Sequence, residues 1–443
     1  MIQETSHDAV EVLHKRFYLF KDKNFLSLMF GTWFSTIGDG AYFIILGWYV
    51  LNITGSEVAL GTTLTAASIP RIIFMLVGGA LADRIDRKRI LMMSLFIRAV
   101  LLILFAFLIV GVHRKPELWL IDWIAVSFGI IDAFFYPASS SIVPSAVPTQ
   151  VFEKANSLIQ TVQQLSTVLG PLLAAGLLLF LDYQMMFVGI SMIYLLSTTL
   201  LSFLKLRRYV DHVSSLENQI IESPSSMWSE IREGTLFVWS SRILATLMLI
   251  SLMINLLFMG PINIGIPILI KSFGWSGGTY GLYESGFGLG AVSGGLLVVM
   301  MKGFRGKFIW LAGLGAFMGS AMAGIGFVYA PWGGILLMIL MGIAITIVNI
   351  PLINYIQTIV PANKLGRTMS VLTLMSMGLV PVSYTVSSFI IEAKWINVRE
   401  LLLGSGILIT LLFCSLYLIR DFRNMEEHPV WKNKYLQNDV ESP

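Results

Sequence analysis

Asp39, Arg71, Arg98, Asp132 and Glu284 stand deep inside otherwise apolar stretches of this chain. A charge in such a stretch costs on the order of 3 kcal/mol or more unless it is paired or functional. The first four make a neutral set of two acids and two bases. A carboxylate held by a base can exchange that partner for a proton, so Asp39 and Asp132 are candidate proton-coupling groups with Arg71 and Arg98 as their charge partners. Glu284 has no base within the apolar stretches of its half of the chain, and Lys271 is the one cation expected to reach it. An acid without a firm partner suits proton carriage. Each group also has a plainer reading: a static ionic staple for the four, a snorkelling Arg98, and an outer-rim contact for Glu284.

Groups like these need elements that hold them at a set depth. The chain is 56% hydrophobic and 13% charged, against about a quarter charged in soluble domains. It therefore reads as an all-α polytopic membrane protein. Twelve spans of roughly 20 residues, the length a bilayer core demands, are predicted at 25–51, 57–82, 90–111, 118–141, 156–181 and 184–204, then 242–270, 278–301, 308–329, 332–359, 367–392 and 399–419. Asp39, Arg71, Arg98 and Asp132 then lie about 13 residues from the outer ends of spans one to four, roughly 20 Å deep.

The expected plan is a cytoplasmic amino-terminal segment (1–24), a first six-helix bundle (25–204), a cytoplasmic linker (205–241), a second six-helix bundle (242–420) and a cytoplasmic tail (421–443). The first apolar stretch is a span and not a secretory signal, being too long and lacking a small-residue cleavage site. In the linker, Met227 to Trp239 has the pattern of an amphipathic helix. Of the 30 lysines and arginines, those in loops concentrate heavily on one side, which places both termini in the cytoplasm. The halves look duplicated: Ser56 and Gly61 recur as Ser276 and Gly281, and Gly78 and Gly79 as Gly294 and Gly295.

Other functions find no support. One cysteine, Cys414, excludes an internal disulfide. The five histidines lie in tails or loops without ligand spacing, no Walker loop is present, and the basic residues do not form a nucleic-acid patch. No cofactor or metal is expected, and the chain is not read as an enzyme. Gly286, Gly290 and Gly294 give span eight a face nearly free of side chains. Span five, with Ser166, Gly170, Pro171, Ala174 and Ala175, is the expected partner. Aromatic and amide groups suited to an amphipathic organic ligand are Trp33, Tyr42, Phe43, Phe135, Tyr136, Asn255, Phe258, Asn349 and Asn354, although aromatics also gather at membrane interfaces.

The stretch from Gly78 to Leu91, GGALADRIDRKRIL, resembles the signature loop of the major facilitator superfamily, G-x-L-A-D-R-x-G-R-K-x-x-L. Asp86 stands where the pattern has its second glycine. The stretches GDGAYFIILGWYVLNITGS from Gly38, IPRIIFMLVGGALADR from Ile69 and DAFFYPASSSIVPSAVP from Asp132 resemble the drug:proton antiporter branch that holds macrolide-efflux proteins and the enterobactin exporter. The resemblance implies two six-helix bundles around a cavity lined by spans one, four, seven and ten. It implies a secondary active exporter of hydrophobic or amphipathic small molecules, working by proton antiport with alternating access. The chain would act as a monomer in a bacterial inner (plasma) membrane. Two departures bear on the transfer: Asp132 occupies a span where related branches carry arginine, and the fifth-span glycine pattern is reduced. A conformational latch is also implied, formed by Gly79, Asp83, Arg84, Arg87 and Lys88, with Asp83 capping span eleven near Gly366 to Thr368. The alternatives are a dedicated siderophore or natural-product exporter, a lipid flippase, or a transporter-like sensor.

Overall fold

Lipid offers the backbone no hydrogen-bond partners, so an apolar chain of this kind has to satisfy its own amides within helices. The computed structural model describes residues 19–82, 86–111, 117–148, 151–206, 227–301 and 308–432, and no strand occurs among them. The first six long helices are α1 (Lys23–Thr54), α2 (Glu57–Ala82), α3 (Arg87–Gly111), α4 (Leu118–Ser141), α5 (Phe152–Phe180) and α6 (Tyr183–Ser202). A second six follow: α7 (Arg242–Ser272), α8 (Gly277–Met300), α9 (Phe308–Ile325), α10 (Pro331–Ile359), α11 (Lys364–Glu392) and α12 (Val398–Ser415).

Among the described residues eleven helices are long and apolar enough to cross a membrane, and the apolar stretch Ile309–Ile325 within α9 is shorter. At 1.5 Å per residue α9 rises about 27 Å, just under the ~30 Å hydrocarbon core, so the twelve-helix plan holds. Large apolar side chains on the outside, such as Phe107, Leu296 and Trp310, are more than half exposed, as a lipid-facing surface requires.

Two helices are interrupted. α7 passes through a π-helical turn at Pro261–Gly265. α11 breaks at Leu379, two residues before Pro381, whose missing N–H and fixed φ do not continue a helix. Turns at Gly55 and Gly274 use a φ of +69°, which glycine adopts without strain. α12 starts with a capping box: Asn397 accepts from the Glu400 N–H at 2.9 Å, and Glu400 accepts from the Asn397 N–H at 2.8 Å.

The chain divides into two compact units, Met1–Thr54 with Ala66–His212, and Gly55–Thr65 with Val213–Pro443. α2 is thus shared: its first turns belong to the second unit. There, Glu392 at the end of α11 accepts from Ser56 Oγ at 2.9 Å and from the Glu57 and Val58 N–H groups at 2.9 and 3.1 Å. This carboxylate takes up amides that the start of α2 leaves without partners.

In the first unit α1 packs on α5 and α6, and α3 packs on α6. A Cβ on Gly170 would lie 3.0 Å from the Ile37 carbonyl of α1, so the α1–α5 crossing depends on missing side chains. In the second unit the glycine column of α8 lies on α10, where Gly286, Gly290 and Gly294 meet Ile335, Ile339 and Ile343. A Cβ on Gly290 would fall onto the Ile339 carbonyl, and one on Gly342 of α10 onto the Phe287 carbonyl. Within its own unit α8 thus meets a helix with its own glycine in register, and within the other unit α5 sets small residues against α1.

The linker stretch forms a helix, Met227–Ser240. It docks on the first turns of α11: Glu233 pairs with Arg367 at 2.5 Å, and Lys364 lies 4.7 Å over the Phe237 ring.

Candidate functional site

Arg98 lies in the middle of α3 and has no solvent exposure. A buried guanidinium needs acceptors for its donors, and two neighbouring helices each supply a carboxylate. Arg98 Nη1 donates to Asp39 Oδ1 of α1 at 2.6 Å, and Nη2 donates to Asp132 Oδ1 of α4. Its Nε is buried with no hydrogen-bond partner among the described residues. Asp39 also accepts from Tyr194 OH of α6 at 2.7 Å. Arg71 of α2 approaches Asp132 Oδ2 at 3.8 Å and is 42% exposed, a looser tie than that of Arg98.

Aromatic rings enclose the guanidinium. Arg98 Cζ lies 4.9 Å from the Phe135 ring centre and 5.9 Å from those of Phe128 and Tyr194. Tyr42 stacks on Phe128 at 4.0 Å. Arg98 therefore holds two carboxylates at once within a ring of π faces, which favour a cation. The four intramembrane charges that the sequence places at one depth meet here, with Asp39 and Asp132 sharing a single arginine.

Tyr194 and Phe128 were not singled out from the sequence. Each is one aromatic among many in an apolar helix, and spacing carries no sign that Tyr194 reaches a carboxylate 155 residues away.

Glu284 on α8 makes no salt bridge with any described residue, and its Oε1 is buried without a hydrogen-bond partner among them. The cation expected near it, Lys271, ends the last turn of α7.

The proposed cavity residues separate into groups. Asn255 and Phe258 of α7 and Asn349 of α10 line one cavity of about 140 Å³ in the second unit, together with residues of α9 and α12. Asn354 is exposed one turn beyond. Tyr42 and Phe135 belong to the Arg98 enclosure, whereas Tyr136 is 61% exposed. Phe43 is half-buried. Trp33 sits between Phe30 and Phe34, 5.8 Å from each, with its indole N–H buried and unpartnered among the described residues.

Of the latch residues, Asp83 and Arg84 lie outside the described residues, and Gly79 falls in the last turn of α2. Arg87 donates to the Ser141 carbonyl at 2.8 Å, and Lys88 to the Ser202 and Leu204 carbonyls at 2.7 and 2.6 Å. Both cations thus sit at the carboxyl ends of α4 and α6, where unpaired carbonyls and the helix dipole attract positive charge.

Long apolar helices, two compact units and charges buried inside the helix bundle define a multi-pass membrane protein of the transporter class. The chain belongs to the Major Facilitator Superfamily, whose family model matches residues 28–385. Macrolide efflux protein A of Streptococcus pyogenes is 24% identical over 390 residues, covering 85% of this chain and 91% of that protein. Among solved structures, the nucleoside transporter NupG superposes with a TM-score of 0.66 at 13% identity, over 88% of this chain and 99% of that one. A bacterial homologue of the iron transporter ferroportin in an inward-facing state gives a TM-score of 0.63 at 15% identity, over 88% and 98%. These structural likenesses establish the fold, and the relatives place the chain beside macrolide-efflux proteins within the superfamily.

Proposed function

We propose that this protein is a secondary active exporter of hydrophobic or amphipathic small molecules, driven by protons entering as substrate leaves. The observation that carries the reading is the shared arginine. Arg98 cannot leave one carboxylate without a replacement charge balance, because removing one partner of a buried ion pair costs about 3–5 kcal/mol. A proton arriving on Asp39 or Asp132 supplies that balance. It neutralises one acid and leaves Arg98 to the other. Four helices meet at this point, so a change of partner there is felt by α1, α3, α4 and α6 together.

The similarity to macrolide-efflux proteins supports export of bulky apolar compounds. The loop charge bias, with Arg87 and Lys88 on one end of the first unit, supports an inner-membrane orientation with both termini in the cytoplasm. The exporter acts as a monomer by alternating access.

The test uses purified protein in lipid vesicles with an imposed pH gradient, acid inside. A lipophilic dye should accumulate in the lumen and be released when the gradient is collapsed. Asp39→Asn should lose gradient-driven accumulation yet retain dye exchange at equal pH on both sides. Accumulation indifferent to the gradient would rule out proton antiport, and lipid movement without a gradient would favour a flippase.

A further inference from the structure

The cavity in the second unit has a composition that selects its contents. Its walls come from α7, α9, α10 and α12, with Phe422, beyond the end of α12, also in the lining. Phe422 is only 2% exposed, and its segment is pinned where Tyr355 OH donates to the Met425 carbonyl at 3.0 Å. Among the described residues no charged side chain lines the cavity. An ion entering would give up its hydration and meet no counter-charge, which is prohibitive in an apolar surround.

The polar groups are few and their spare capacity can be read directly. Ser251 Oγ is engaged with Ser376 Oγ at 2.9 Å. Asn255 Nδ2 donates to the Ser251 carbonyl at 2.8 Å, leaving its Oδ1 without a partner among the described residues. Asn349 is exposed and its amide bonds to no described residue. The cavity thus offers one spare acceptor and one complete amide among alkyl and aryl walls. Size narrows the contents further. A volume of about 140 Å³ compares with the roughly 150 Å³ apolar cavity that accepts one benzene, and is well below the roughly 300–1,000 Å³ of a site for a whole drug-sized ligand.

We propose that this cavity is a binding site for one uncharged aromatic or short alkyl group of the transported molecule, with Asn255 and Asn349 hydrogen-bonding the ether, ester or hydroxyl that joins it to the rest. The word transported rests on the export reading; the binding does not. The larger part of such a substrate lies outside the cavity, and a permanent cation is tolerated only on that outer part.

The experiment measures thermal unfolding of the full chain in phosphatidylcholine nanodiscs, with toluene and with benzyltrimethylammonium as probes. Toluene should raise Tm with saturation, and the charged analogue should not. Val348→Phe, which fills the cavity, should weaken the toluene effect about tenfold or more, as expected from losing the burial of a ring. Ile345→Ala, which enlarges it, should shift preference from toluene toward n-propylbenzene, and it decides the matter if Val348→Phe fails to fold. An absent or unsaturable shift, equal shifts from both probes, or variants indistinguishable from the parent would overturn the site. No pH gradient enters this assay. Failure of gradient-driven accumulation with the toluene effect intact would therefore remove the coupling reading and leave the site standing.

Discussion

The two units solve the problem of polarity inside a membrane in opposite ways. The first concentrates charge: Asp39, Arg98 and Asp132 lock together on α1, α3 and α4, with Tyr194 and three rings around them. In the second, Glu284 has no salt bridge among the described residues, and the cavity is lined by apolar groups, Ser251 and two amides. In the first, α1, α3, α4 and α6 are tied by ion pairs and a hydrogen bond around Arg98. In the second, helices are held by shape, through glycines that let α8 and α10 touch backbone to backbone. On the proposed reading, ion chemistry belongs to the first unit and the apolar surface for a ligand to the second.

The contrast can be broken most severely at Arg98. Arg98→Ala leaves two carboxylates facing each other without their cation and should cost about 3–5 kcal/mol of stability, read as loss of folded yield and a lower unfolding midpoint in detergent. Combining Arg98→Met with Asp39→Leu and Asp132→Leu removes the three charges that lock together, leaving only the 42% exposed Arg71, and should restore most of that loss, because a consistently apolar replacement of a buried ion set is often neutral. A triple variant as unstable as the single one would show that packing, and not charge, governs the site.

Shape is tested by Gly290→Ala. The new methyl meets the Ile339 carbonyl and should destabilise the second unit by about 1–3 kcal/mol. Gly176→Ala on α5 has nothing within 4 Å of its new Cβ, and should instead stabilise its helix by about 0.5–1 kcal/mol. Thermal unfolding should show the two shifts with opposite signs; equal shifts would mean that close contact is not what holds α8 to α10.

The smallest effect is expected at Glu284. With no ion pair among the described residues to break, and with glutamine matching its shape, Glu284→Gln should alter stability by less than about 1 kcal/mol. Asp132→Asn, which removes an Arg98 partner, should be measurably worse in the same unfolding assay. A large loss at Glu284 would place a hidden charge partner in the second unit and erase the contrast.

Much of this architecture was legible before any coordinates. Runs of about twenty apolar residues are what a bilayer demands of a helix, so the spans could be marked to within a few residues over most of the chain. α9 ended early at Ile325, because the apolar run continues through residues 326–330 while the backbone leaves the helix in a turn at Gly326. The common depth of Asp39, Arg71, Arg98 and Asp132 followed from counting along four spans, because helical rise is constant.

What remained for the tertiary structure was the choice among neighbours. Depth does not say that Arg98 takes both acids while Arg71 stays 42% exposed, nor that Tyr194 completes the set. A glycine column shows that some helix comes close, and within the second unit that helix is α10, whose own Gly342 lies in register. Asn255 and Asn349 became parts of one cavity while Asn354, one turn on, did not. Spacing along a helix fixes height and face. Which face meets which is decided by how twelve helices pack at once, and that information is spread over residues far apart in the chain.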